Sequence, residues 1–118
     1  MTFNSALLAV ALAAAPHPAQ AAIALSPCQL SHPLAPAQVA ARCGTLEVPE
    51  DRARPGGRKI ALAIAVIDAE SPKPAPDPVF VLAGGPGQAI REVFPILGPA
   101  FGRIGRARAL VLVDQRGT

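Results

Sequence analysis

Proline stands at fourteen of the 118 positions, and its placement limits this chain more than any other feature. A proline fixes φ and offers no N–H, so it disrupts the hydrogen-bond ladder of a helix interior or an inner strand. Pro72, Pro74, Pro76 and Pro78 alternate along SPKPAPDP, which makes that stretch a stiff, extended connector. Pro95 and Pro99, with Gly98 beside them, interrupt residues 88–105, where helix could otherwise form. A kinked or split helix is expected there. Regular structure is left to the apolar runs between these breakers.

Those runs are short and well separated. Gly44 to Val48, GTLEV, reads as a strand ended by Pro49, and EDRARPGGR after it reads as a polar turn. Ile60 to Asp68 alternates large and small, with Ile60, Leu62, Ile64 and Val66 on one face and alanines at 61, 63 and 65 on the other. Both faces are apolar, so this strand should be covered on both sides and pair with the first as a hairpin. Val79 to Ala83 and Ala109 to Val113 are buried-strand candidates. A helical crossover between them would make a βαβ unit with parallel strands.

The remaining composition narrows the function classes. Eleven basic residues scattered among eight acidic ones give a net charge of +3, and the aromatic residues are four Phe alone. That is a solvated surface over a thin core rather than a nucleic-acid footprint. Ala6 to Ala15, ALLAVALAAA, has the length of a signal-peptide apolar region and is too short to span a bilayer. PHPAQA follows with an Ala19-Gln20-Ala21 cleavage pattern, although no Lys or Arg precedes the run. Residues 1–21 thus read as a signal peptide of an exported, periplasmic or secreted protein without a stable membrane span after cleavage. An uncleaved apolar helix is the alternative.

In an exported chain the even pair Cys28 and Cys43 reads as a disulfide stapling residues 22–43. Closing a loop of that length is worth about 3 kcal/mol in the chain-entropy account. A metal site would need more ligands than nearby His32 supplies, so neither metal nor cofactor is expected.

The chemistry-bearing stretch is VFVLAGGPGQ, Val79 to Gln88, in which an apolar strand runs into Gly-Gly-Pro-Gly. A strand that enters a helix through glycines presents free backbone N–H groups, here those of Gly84, Gly85, Gly87 and Gln88, and these suit a negative charge. A phosphate loop would need Lys after the last glycine, and a dinucleotide fingerprint would need glycine at Ile90. A plain tight turn and an oxyanion loop remain.

AGGPGQ after one strand and VLVDQRGT at the end of the next together resemble the α/β-hydrolase superfamily. More narrowly they are similar to its proline iminopeptidase and secreted tripeptidyl aminopeptidase branch, and CGTLEVPEDR upstream resembles the exported members. The resemblance covers Cys43 to Thr118. It implies an α/β fold in which residues 44–118 are the N-terminal, incomplete part of a hydrolase sheet, a β-hairpin followed by the βαβ unit. It also implies that backbone N–H groups of Gly84 and Gly85 form part of an oxyanion hole. Ala83 stands where iminopeptidases commonly carry His, which leans towards the tripeptidyl type. Asp114 and Arg116 are expected as a loop bracing the glycine turn, not as catalytic residues.

Such an enzyme needs a nucleophilic serine in G-x-S-x-G, then an acid, then a histidine. After residue 21 the serines are Ser26, Ser31 and Ser71, none in that setting, and the histidine is His32. The expectation is therefore a fragment of an exported serine hydrolase of aminopeptidase type. Its full-length parent would act on peptides, and this chain alone would be inactive. An exported esterase fragment of the same fold is one alternative. A small exported binding or inhibitory protein, stapled by its disulfide, is another, and a cofactor-binding fragment is a third.

Overall fold

In a computed structural model of the chain, residues 22–118 are described, and the expected signal peptide lies outside them. The alternating run forms β3 (Lys59–Ile67), the middle strand of a five-stranded sheet. Before it come β1 (Ser26–Leu30) and β2 (Val39–Pro49). After it come β4 (Val79–Val81), α1 (Ile90–Ala107) and β5 (Leu110–Val113). The spatial order is β1-β2-β3-β5-β4. β1/β2, β2/β3 and β3/β5 pair antiparallel, whereas β4 and β5 run parallel.

The fold class expected from the sequence is corrected by this sheet. An α/β fold carries helices over both faces of a mostly parallel sheet. Here three of the four ladders are antiparallel, and one helix lies on one face. The described chain is a small strand-rich mixed sheet with a single helix, not an incomplete α/β-hydrolase sheet, although the expected β2/β3 hairpin and the parallel β4-α1-β5 unit are both present in it. The local signals concern single segments. Sheet class is set by which strands become neighbours, and the insertion of β5 beside β3 is a long-range choice that periodicity does not encode.

The small side of β3 is the side that meets the helix. Ala65 and Leu112 are opposite each other in register and have no solvent exposure, and Val81 continues that row. Ile90 and Phe94 of α1 pack onto the same cluster with Leu30 and Leu110. Cys28 lies opposite Ala41, and Cys43 opposite Ser26, so both cysteines project to this face. They are joined as a disulfide with a Cα–Cα distance of 5.8 Å. On the other face Ile64 is buried, beside Gly44 in the register of β2 and β3. A Cβ at Gly44 would run into the Ala24 carbonyl and within 2.8 Å of Leu25 Cδ2. Residues 23–25 therefore lie directly against β2, and glycine is what lets them approach.

α1 is one helix through Pro95 and Pro99, so of the kinked or split helix expected there the split form is excluded. Ile90 and Phe94 before the prolines and Phe101 after them are held on the same core, so packing overrides the propensity cost. The alternating-proline connector also has a structural task. Its neighbours Glu70 and Ser71 donate N–H to the carbonyls of Gly105 and Arg106, and Ala75 to that of Ala107. These are end-of-helix carbonyls that would otherwise need water.

Candidate functional site

The glycine turn leaves the sheet at the C-terminal end of β4. Gly85 and Gly87 have φ of +90° and +74°, a region that favours glycine over any residue with a Cβ. Residues 84–88 are exposed. The Gln88 N–H closes a turn onto the Gly85 carbonyl at 3.4 Å. Gln88 is thus partly used within the turn, while the N–H groups of Gly84, Gly85 and Gly87 find no acceptor among the described residues.

The loop after β5 lies alongside, because β4 and β5 are parallel neighbours and both end at the same edge. Its residues hold three different elements. Asp114, 6% exposed, accepts the Arg91 N–H at 3.1 Å on Oδ1 and the Arg91 Nε–H at 2.7 Å on Oδ2. Ala89, at the helix start, offers no side-chain cap, so Asp114 caps α1 from another strand. Gln115 Nε2 donates to the Ala83 carbonyl at 3.2 Å, tying this loop to the glycine turn. Arg116 donates to the carbonyls of Glu50 at 2.7 Å and Pro49 at 3.0 Å, tying it to the end of β2. Gly117, with φ of +83°, lets the chain fold back.

Asp114 and Arg116 were expected as a loop at the glycine turn, either solvent-capped or bracing the turn through a contact with each other. They instead serve separate partners, and the link to the glycine turn is made by Gln115. Arg91 and Gln115 were not singled out from the sequence. A signal for Arg91 existed: a basic residue at the second position of the helix faces an acid at the end of the following parallel strand. Between α1 and the tip of β3 lies a cavity of about 260 Å³, floored by Ala61 and Ala63 and walled by Ala89, Arg91, Asp114 and Gly117. The alanine row thus serves two ends: at Ala65 it admits the helix, and at Ala61 and Ala63, nearer the start of β3, it leaves space.

The serines and histidine lie elsewhere and do not combine. Ser26 opens β1, and Ser71 Oγ accepts the Lys73 N–H at 3.2 Å. His32 Nδ1 accepts the Leu34 N–H at 3.1 Å. Among the described residues no serine–histidine hydrogen bond forms and no cluster of three or more metal-ligating side chains occurs. No helix among them is long and apolar enough to cross a membrane. Compared with known proteins, the chain matches no protein-family model and no curated protein.

Proposed function

We propose that the chain supplies the oxyanion-binding loop of an exported serine hydrolase of aminopeptidase type, which releases N-terminal residues or tripeptides from peptides. The observation that carries the reading is the pair of exposed, unpartnered N–H groups of Gly84 and Gly85. They lie next to a loop that is itself fastened at three points. Preorganised backbone donors aimed at a developing oxyanion are worth roughly 3 kcal/mol of transition-state stabilisation each. The resemblance of AGGPGQ and VDQRGT to the iminopeptidase and tripeptidyl aminopeptidase branch gives the reaction class, and the disulfide is compatible with export. The nucleophile and the base would come from residues other than those described.

The test is a titration of isotopically labelled chain with an N-terminally free tripeptide phosphonate, a stable tetrahedral oxyanion. The amide signals of Gly84 and Gly85 should move together on titration, and the N-acetylated analogue should bind less well. The chain alone should not turn over aminoacyl or tripeptidyl anilides. Phosphonate binding that leaves both amides in place overturns the reading, whereas serine-dependent turnover by this chain would overturn only its being an inactive fragment. A second reading, a small disulfide-stapled binding protein, draws on Phe80 and Leu82, which are 64% and 59% exposed at the sheet edge. It gains if a partner protects those residues while the glycine amides stay silent.

A further inference from the structure

The hydrogen bond from Gln115 to the Ala83 carbonyl has a consequence for the neighbouring amide. The Ala83 carbonyl and the Gly84 N–H belong to one planar peptide unit, and in a trans peptide they point in opposite directions. Whatever holds that oxygen therefore sets where that N–H points. Regular pairing of β4 ends at Val81, where it lies opposite Leu112, so the ladder does not hold the 83–84 unit. Two glycines follow, and Gly85 has a positive φ, so the backbone beyond it is free to turn. Gln115 Nε2 is the side-chain donor that reaches this unit, at 3.2 Å.

Gln115 is itself held on both sides. Asp114 is fixed to Arg91, and Arg116 to the carbonyls of Pro49 and Glu50. Its backbone carbonyl accepts the Thr118 Oγ1–H at 2.8 Å and the Thr118 N–H at 3.3 Å. An amide side chain on a braced backbone is a preorganised donor, and its bond also polarises the Gly84 N–H through the shared peptide group.

We propose that Gln115 is the positioning residue for the Gly84 N–H: by gripping the carbonyl on the far side of one peptide plane, it aims that donor at the oxyanion. This rests on the oxyanion-loop reading above, but it makes a separate claim about which side chain orients the donor.

The experiment follows the Gly84 and Gly85 amide signals of the 118-residue chain during titration with methylphosphonate, in wild type, Gln115→Ala and Gln115→Glu. In wild type both amides should respond. In Gln115→Ala the Gly84 response should fall several-fold and its signal should broaden or shift, while amides of β1–β3 and the thermal transition stay unchanged. Gln115→Glu supplies the rescue. Its carboxylate is acceptor-only near neutral pH and should behave like the alanine variant. On protonation around the ordinary glutamate pKa of about 4.3 it regains a donor, and the Gly84 signal should return towards its wild-type position. A merely structural role would not produce that pH-dependent return. Unchanged Gly84 behaviour in both variants, with wild type responding, overturns the role of Gln115 and leaves the oxyanion reading standing. No response from either glycine in wild type overturns that reading instead.

Discussion

Arg91 and Asp114 meet twice: the carboxylate takes both the guanidinium Nε–H and the main-chain N–H of the same arginine, at 2.7 and 3.1 Å. One side chain thus neutralises a basic residue and caps a helix whose own N-cap, Ala89, has nothing to offer. The acid is nearly buried and the arginine keeps 31% of its side-chain exposure. Asp114→Ala would leave the guanidinium without its partner and the helix start uncapped.

The expected cost is about 2–3 kcal/mol, from losing hydrogen bonds to a charged group that is largely out of water. Asp114→Asn should cost less, because its amide oxygen still accepts the Arg91 main-chain N–H. Denaturant titration of both variants checks the order. Equal loss in the two would mean that the charge, not the cap, is what matters.

The disulfide should carry a second, independent share of stability. Cys28 and Cys43 join the edge strand β1 to β2, on the face that α1 covers. Reduction should lower unfolding free energy by about 3 kcal/mol. Because β1 is an edge strand, loosening should start there. Hydrogen exchange under reducing conditions should show loss of protection in Ser26–Leu30 before β3 and β5.

How far these relationships could be read from the sequence differs by type. Breakers and apolar runs placed β3, β4 and β5 closely, since proline and the period-two pattern act locally. The first strand was missed because Pro27 and Cys28 interrupt its pattern, and β2 begins at Val39, well before the expected Gly44. Sheet class failed for a different reason: the antiparallel docking of β5 on β3 depends on which edges meet. In the candidate site, the glycines were legible because positive φ restricts residue choice. The three-way use of Asp114, Gln115 and Arg116 was not, because each reaches a different element and no spacing rule joins them.

Gly44 should tolerate no side chain. Any Cβ there meets the Ala24 carbonyl and Leu25 Cδ2, and a backbone carbonyl cannot swing aside as a side chain can. Gly44→Ala should displace residues 23–25, at a cost of about 1–3 kcal/mol for an overpacked contact. A control is available at Gly56, where a Cβ has open space. Gly56→Ala should leave the thermal midpoint nearly unchanged, and equal losses at the two positions would refute the close approach.

Acid should weaken the fold through exposed aspartates. Asp68 is held below the usual carboxylate range by hydrogen bonds from Arg42, Asp51 by those from Arg54 and the Ala53 N–H, and Asp77 by that from Arg108. A carboxyl with a folded-state pKa lower than its unfolded value binds protons more weakly when folded. Its contribution is therefore fully present above the unfolded value, near 3.9 for aspartate, and is lost as pH falls through the lower folded value. Stability should thus hold from neutrality to about pH 5 and decline below about pH 4. All three pairs are solvent-exposed, so salt should flatten the decline. Thermal unfolding across that range at low and high ionic strength is the measurement. A loss of stability centred near neutral pH, or one that salt leaves untouched, would show that these pairs are not its source.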